Sequence, residues 1–485
     1  MEQPVSQVTG SQQRTAQRVW DEGRQAILTT AILLVLCVAL MAIPTPTGLS
    51  HEGHRVLAVV GLAIGLWCTE ALPAGVTGMV VVVALVLSAG VRSFQEALVG
   101  FAEPVAYFLI GVLTLGLAVL RSGLAERVAQ FFLRRCRGHS RTLYLQLLLV
   151  FPLLTFLLPS ATTRTGILIH VYEQALDLSH VPRGAPLAKA IMLALNSINR
   201  LASTVLLTGG ITPVVAASLI GGISWSRWLV LMSIPYGVLL ALGAGLIYLL
   251  YRRDFGTPLP AAPPSDPRPL SGLEIRTAII TLGASLLWLT DALHHWHPAL
   301  PALLAWACLL TPGIGVLTWG DFERNFGWAN FFVLASSLSL ARALSSSGAS
   351  AWMAARIVGS TSALAQQPLL VVVVLLLAAA PVRLLIPNIT GFLATTIPLA
   401  MSIGTATGLN PIICGLAVMI AGDAVLYYPA QSASSLVVYE RGHLSAAEIF
   451  RFGLWMTLVA YLVVLAVAVP YWAVVGEPLL TPAGQ

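Results

Sequence analysis

Six ionisable side chains stand inside long apolar runs: Glu70, Arg164, Arg200, Asp291, Arg383 and Asp423. A charge at the centre of a bilayer costs about 2.5 to 3.5 kcal/mol on an insertion scale, so each of them must be paired or put to use. Arg164 comes four residues after Ser160 in Pro159-Ser160-Ala161-Thr162-Thr163-Arg164, about one helical turn past a cluster of hydroxyls. A planar guanidinium there can face a carboxylate through two parallel hydrogen bonds; its rival roles are a pair with Glu173 or support of the turn itself. Arg383 precedes a second polar cluster, Pro387-Asn388-Ile389-Thr390-Gly391, and can face the same space or pair with Asp423. Ser160, Thr162, Thr163, Arg164, Asn388 and Thr390 form a candidate anion-binding set, because hydroxyls, an amide and a guanidinium all donate and none brings negative charge.

A second constellation is made of backbone. Thr208-Gly209-Gly210-Ile211-Thr212-Pro213 and Tyr428-Pro429-Ala430-Gln431-Ser432-Ala433-Ser434 read as unwound stretches of otherwise apolar helices. Exposed carbonyls and hydroxyls suit a small hard cation, which makes Thr208, Gly209, Gly210, Thr212, Gln431 and Ser432 candidate ligands for a sodium ion (Na+). The competing use of such glycines is close helix packing. Arg200 belongs to the unusually polar stretch Asn196 to Thr204 just upstream. Glu70 and Asp291 stand near helix ends, where a carboxylate binds free backbone NH groups, and a structural role is expected for both. Two carboxylates such as Asp291 and Asp423 can also share a proton in an intramembrane aspartyl enzyme, but the Gly-x-Gly-Asp context is absent in Ile420-Ala421-Gly422-Asp423. His294, His295 and His297 flank Trp296 in a short turn and read as an interfacial anchor. Cys37, Cys68, Cys136, Cys308 and Cys414 have neither disulfide nor metal spacing, so no resident metal or cofactor is expected beyond Na+ as a coupling ion.

The elements that must position these groups are membrane helices. Of 485 residues 57% are hydrophobic and only 9% are charged, with a mean hydropathy of +0.85. Apolar stretches of spanning length recur from Ala26 to Val475 with gaps too short to fold as soluble domains. Leu143 to Leu176 and Leu369 to Thr405 differ from the rest, being apolar, then polar, then apolar again. Proline and hydroxyls at mid-depth leave backbone groups unsatisfied against lipid, and such backbone is tolerated only facing protein or a water-filled cavity. Each segment therefore reads as a re-entrant hairpin, its second arm aiming N-terminal NH groups at a shared anion site; the competing form is a proline-kinked full helix.

The chain is also written twice. Leu66-Trp67-Cys68-Thr69-Glu70-Ala71-Leu72 returns as Leu287-Trp288-Leu289-Thr290-Asp291-Ala292-Leu293. Gly100-Phe101 answers Phe326-Gly327, and Ser122-Gly123 answers Ser347-Gly348. An odd number of crossings in the first copy inverts the second. The expected organisation is a polar segment 1–25, a first helix and loop 26–53, a first repeat 54–251 with its hairpin at about 143–176, a linker 252–273 rich in proline, and a second repeat 274–485 with its hairpin at about 369–405. The fold class is an all-α polytopic membrane protein of about 11 transmembrane helices plus two re-entrant hairpins in two inverted repeats.

The formal charge of +6 does not point to nucleic acid, because the arginines are distributed by loop. They cluster between Arg121 and Arg141 and around Arg252, Arg253, Arg268 and Arg276, while the alternate loops hold single ones such as Arg55, Arg92 and Arg227. With this bias a cell inner-membrane protein has its N-terminus in the cytoplasm. The Arg121 to Arg141 stretch, with Phe131, Phe132 and Leu133 among its arginines, is expected along the cytoplasmic interface.

The sequence resembles the divalent anion/sodium symporter family of carboxylate transporters over nearly everything after residue 50. LWCTEALPAGV from Leu66 and GFAEPVAYFLIGVLTLGLAVLRSGL from Gly100 are similar to two of its helix junctions, and PSATTRTG from Pro159 is similar to the hairpin tip of its citrate, tartrate and oxoglutarate exchanger branch. The family's tips carry Ser-Asn-Thr, whereas here Ala161 replaces the asparagine of the first tip, and the second keeps Asn388 between Pro387 and Ile389. The resemblance implies a secondary active transporter of small di- or tricarboxylates, a homodimer that works by alternating access, as a symporter or antiporter. Sulfate or another inorganic oxyanion is the alternative cargo.

Overall fold

A computed structural model describes residues 5–134, 139–158, 160–256, 269–359 and 367–481. Pro159, Arg135, Cys136, Arg137 and the proline-rich stretch 257–268 lie outside the described residues. After α1 (Val5–Ala42), the first half runs α2 (His51–Thr69), α3 (Ala74–Leu87), the short α4 (Phe94–Ala97) and α5 (Val99–Ala102), α6 (Pro104–Ser122), α7 (Leu124–Arg134), α8 (Ser140–Leu157) and α9 (Ala161–Leu178). A π-helical turn, Ala194–Ile198, joins α10 (Pro186–Leu193) to α11 (Asn199–Thr204), and α12 (Ile211–Ile220) and α13 (Trp225–Tyr251) complete the half. The second half repeats the order: α14 (Gly272–Leu289), α15 (Asp291–His294), α16 (Ala299–Leu310), α17 (Trp319–Asn325), α18 (Trp328–Ser346), α19 (Ala349–Gly359), α20 (Pro368–Leu385), α21 (Ile389–Ala406), α22 (Pro411–Asp423), α23 (Ala433–Tyr439), α24 (Ala446–Val463) and α25 (Val469–Val474).

Local chemistry sets the ends of these helices, and it repeats. Proline opens both α10 and α22 and also α6 and α20, where its missing NH is harmless. Ser271 and Glu274 make a capping box at the start of α14, and Ser445 and Glu448 make another at α24. Gly123 ends α6 in the left-handed region. Among the described residues eight helices are long and apolar enough to cross a bilayer, and α3, α12, α16 and α22 are shorter apolar helices. Taking α10–α12, α22–α23 and α24–α25 once each, α1, α2, α3, α6, α13, α14, α16 and α18 complete the crossings, while α8–α9 and α20–α21 are the hairpins.

The halves interlock by exchange. α3 packs on α18 and α16 packs on α6, so each half's third helix lies against the other's long central helix. In the same way α12 packs on α21 and α23 packs on α9, which puts the stretch after each break against the opposite hairpin. One buried core gathers α2, α3 and the end of α18; the larger core holds both hairpins and both broken helices. Outward faces of α13, α14 and α24 carry exposed Leu242, Ile279, Leu282, Leu454 and Leu458, as lipid-facing helices require.

Both unwound stretches expected from the sequence are present, each beginning earlier than read: the first spans 205–210 rather than starting at Thr208, and the second follows Asp423 rather than starting at Tyr428 and ends at α23. The residues at which each helix is left, Val205 and Ala424, are apolar and give no signal of their own; at the first break the chain folds back so closely that a Cβ on Gly209 would lie 1.9 Å from the Ser203 carbonyl oxygen.

Candidate functional site

Each hairpin turns into a capped helix. Ser160 Oγ accepts from the Thr163 NH (3.2 Å) and from the Thr163 hydroxyl (3.1 Å) at the start of α9. At the start of α21 the Asn388 amide oxygen accepts from the NH groups of Thr390 (2.8 Å) and Gly391 (3.3 Å). Thr162 is exposed, Ser160, Thr163 and Asn388 are half-buried, and Thr390 is buried. Both second arms thus start with backbone NH groups and hydroxyls at a break in the bilayer helices, where helix dipoles favour an anion.

Behind each tip an arginine is fully buried, at 0% exposure. Arg164 donates to the Leu158 carbonyl (2.5 Å), to the Asn199 carbonyl (3.1 Å) and amide oxygen (2.9 Å), and to Ser203 Oγ. Arg383 donates to the carbonyls of Ile386 (2.7 Å), Pro387 (2.7 Å), Gly422 (3.1 Å) and Gln431 (3.4 Å). In this structure the donors of Arg164 hold the turn to α11, which is the supporting role among those expected of it. Neither alternative pairing forms, since Glu173 faces Arg441 (3.5 Å) and His443 (3.3 Å), and Asp423 belongs to Arg200. The two locks come from opposite arms, Arg164 after its turn in α9 and Arg383 before its turn in α20.

The lock carbonyls belong to Asn199 and Gly422, and the residues immediately after them meet across the two halves. Arg200 Nη1 donates to Asp423 Oδ1 at 2.9 Å. Asp423, itself 0% exposed, also accepts from Thr204 Oγ1 (2.7 Å) and Tyr236 OH (2.9 Å). Arg200 Nη2 reaches the Val425 carbonyl at 3.3 Å. Both tips are thereby tied to one point between the repeats. Asn199, Ser203, Thr204 and Tyr236 escape a sequence search for the site. The first three sit in the stretch already marked as polar, but nothing around Tyr236 in apolar α13 signals it.

The candidate cation ligands divide. Gln431 accepts from the Tyr427 NH (2.7 Å) and donates to the Arg383 carbonyl (2.8 Å), so its amide braces the second break. Thr208 Oγ1 accepts from Trp225 Nε1 at 3.4 Å, and the Ser432 and Ser434 hydroxyls pair at 2.8 Å. Gly209 and Thr212 are buried and Gly210 is half-buried at the first break.

Glu70 is corrected from a buried charge to an exposed C-cap of α2 with left-handed backbone, φ 50°. Asp291 is buried past the end of α14, where the Ser226 NH donates to it at 3.0 Å. Burial works to raise its pKa, but hydrogen bonds from Ser226, Ser224 and Trp225 outweigh it and hold the carboxyl below the usual range. Asp291 and Asp423 have separate partners, so the shared proton of an aspartyl enzyme has no dyad to sit on. His294 bonds the Leu287 carbonyl of α14 and accepts from the Trp296 NH, His297 accepts from the Ala299 NH, and among the described residues no cluster suited to a metal ion occurs.

The sodium:sulfate symporter transmembrane region model matches residues 24–477. The chain belongs to that family. As a member of the sodium:sulfate symporter family it is a multi-pass membrane transporter. Its relatives include a membrane protein of Cupriavidus necator, 24% identical over 93% of this chain and 92% of the relative. The putative malate transporter YflS of Bacillus subtilis is 22% identical over 94% of this chain and 98% of its own, and the L-tartrate/succinate antiporter of Escherichia coli is 24% identical over 90% and 96%. Among solved structures, the YdaH transporter of Alcanivorax borkumensis shares the fold with a TM-score of 0.52 at 16% identity, covering 95% of this chain and 100% of that one.

Proposed function

We propose that the protein carries small di- or tricarboxylate anions by alternating access, binding one carboxylate at each hairpin tip. The observation that carries this reading is the tying of two capped helix N-termini, through Arg164 and Arg383, to the point where Arg200 meets Asp423. Ser160, Thr162 and Thr163 serve one carboxylate, and Asn388 and Thr390 the other. Arg164 and Arg383 act electrostatically from behind the tips, their hydrogen-bond partners being carbonyls, an amide and a hydroxyl rather than carboxylates. Relatives named for malate and for tartrate and succinate agree with a dicarboxylate cargo.

Importing a dianion against an inside-negative potential costs about 4.6 kcal/mol per 100 mV, so its charge must be balanced by co-transported cations or a departing dianion. Two fixed guanidinium charges behind the tips do part of the work of bound cations, which favours exchange over obligatory Na+ coupling. At the first break, Thr208, Gly209, Gly210 and Thr212 are the residues left to hold Na+ if it is used. The molecule works as a homodimer in the inner membrane with a cytoplasmic N-terminus.

Purified protein in liposomes loaded with succinate, with and without Na+, tests the reading. Uptake of labelled dicarboxylate that requires internal succinate is the expected result. Strict Na+ dependence without counter-substrate overturns exchange, and uptake of sulfate but no carboxylate overturns the cargo.

A further inference from the structure

Asp291 and Glu70 are mates in the repeat, but only one of them is engaged. Asp291 opens α15, is buried, and accepts from the NH of Ser226, the second residue of α13, at 3.0 Å. Glu70 ends α2 with left-handed backbone, φ 50°, and its exposed side chain makes no hydrogen bond or ion pair among the described residues. The helix start that corresponds to α13 is that of α24: Gly222 and Ser224 before the one answer Gly442 and Ser445 before the other, and both serines are N-caps. The mate of Ser226 is thus Ala447, which is exposed. NH groups in the first turn of a helix have no partner within it, and the Ser445 side chain serves the Glu448 NH rather than that of Ala447.

Both helix starts are bound into the part of the molecule that carries the hairpins. Arg227 of α13 donates to the Val475 carbonyl (2.7 Å) and to Glu477 (2.9 Å), which also accepts from Asn410, the N-cap of α22 (2.9 Å). At α24, Lys189 of α10 donates to Glu448 (2.6 Å), and Arg441 and His443 just before the helix face Glu173 of α9. Asp291 belongs to the other part, since α14 packs on α6 and α16 just as α2 packs on α18 and α3. One end of the hairpin-bearing part is therefore tied to a leading helix, and the matching tie at the other end is open. We propose that Asp291 is a positioning residue that latches the start of α13 in this state, and that in the opposite state it lets go while Glu70 takes the NH groups at the start of α24, so that transport exchanges one helix cap for the other. The inference rests on the alternating-access reading above. Inverted halves can exchange roles between the two states, and a carboxylate for each helix start gives each state one latch. A single charge-assisted hydrogen bond is strong enough to favour a state and weak enough not to trap it.

Cysteine pairs in full-length protein in liposomes, with the five native cysteines replaced by serine, test it. Asp291→Cys/Ser226→Cys and Glu70→Cys/Ala447→Cys are each treated with a short bis-thiosulfonate, and crosslinked chains are separated from free ones by mass. Both pairs are expected to crosslink, and each crosslink to stop exchange until it is reduced. Asp291→Asn added to the Glu70→Cys/Ala447→Cys chain is expected to speed its crosslinking at least about threefold, the population shift that weakening one charged hydrogen bond gives. A residue that only holds the fold would instead lower the melting temperature and leave the crosslinking rate where it was. Should Asp291→Cys/Ser226→Cys not fold, the Asp291→Asn arm decides alone. No crosslink between positions 70 and 447, no acceleration by Asp291→Asn, or full exchange by protein crosslinked between 291 and 226 overturns the latch. Uncrosslinked protein that exchanges neither succinate nor sulfate overturns the transport reading instead, and because crosslinking is read without either anion the two failures stay distinct.

Discussion

At the level of single residues, the hairpin tips separate groups that face a ligand from groups that hold the turn, and the two respond differently to mutation. Ser160→Ala removes an N-cap and one ligand donor, so the fold loses only about 1 kcal/mol while uptake falls at least about tenfold. Arg164→Ala leaves the carbonyls of Leu158 and Asn199 without their buried donor. At about 1 to 3 kcal/mol for each unpaired group, a lowered melting temperature in detergent is expected ahead of any transport measurement. A melting curve for Arg164→Ala that overlays wild type, with uptake lost, would return Arg164 to direct ligand contact. Sequence alone points to a cationic hairpin but not to this division, because three of the four acceptors of Arg164, on Asn199 and Ser203, lie 35 and 39 residues away in α11. Asp423 shows the same limit. Its partner Arg200 is visible as a charge in an apolar run, but the pairing across 223 residues emerges only when the two broken helices meet.

At the scale of elements, the breaks and tips depend on close approaches that small residues allow. Gly391, in the first turn of α21, lies so near the Trp67 ring of α2 that an added Cβ would come within 2.7 Å of it. Gly391→Ala is thus expected to displace hairpin 2 from α2 and reduce uptake severalfold, and Trp67→Leu in the same chain should restore part of it. A double-mutant cycle on uptake and on melting checks the coupling, which for directly touching residues is about 0.5 to 3 kcal/mol; additive effects would mean that the contact is incidental. The helices themselves were largely legible, since long apolar runs and repeated prolines mark them. Where a helix unwinds is legible from its glycines but not to the residue: Thr208 to Pro213 marks the first break, yet the chain already leaves α11 after Thr204, where Val205, Leu206 and Leu207 give no signal.

Over the whole molecule, the repeat is plain in sequence and its asymmetry is not. Trp67 and Trp288 are mates, yet Trp67 lies against the tip of hairpin 2, while Trp288 donates to the Pro298 carbonyl (2.9 Å) and packs edge-on against Phe108. A carrier whose site opens to one side at a time must break the symmetry of its halves, and a sequence records both states at once. The helices leading into the hairpins remain matched: Arg127 of α7 binds Glu274 at the start of α14 (2.7 Å), and Arg356 of α19 binds the Thr47 carbonyl just before α2 (3.2 Å). Each is pinned at the start of the opposite half's leading helix; in the alternating-access cycle proposed above, travel of the hairpins would proceed beyond these anchors. In this state α2 also touches hairpin 2 through Cys68, whose Sγ lies 2.6 Å from the Leu385 carbonyl oxygen. Leu385 is 67% exposed, within reach of reagents. Leu385→Cys, in a chain whose cysteines other than Cys68 are replaced by serine, should form a crosslink to Cys68 with a short bis-thiosulfonate. If hairpin 2 must leave α2 during each cycle, crosslinked protein in liposomes loses exchange and recovers it on reduction. Full exchange by the crosslinked protein would show that this contact persists throughout transport, and that the moving boundary lies elsewhere.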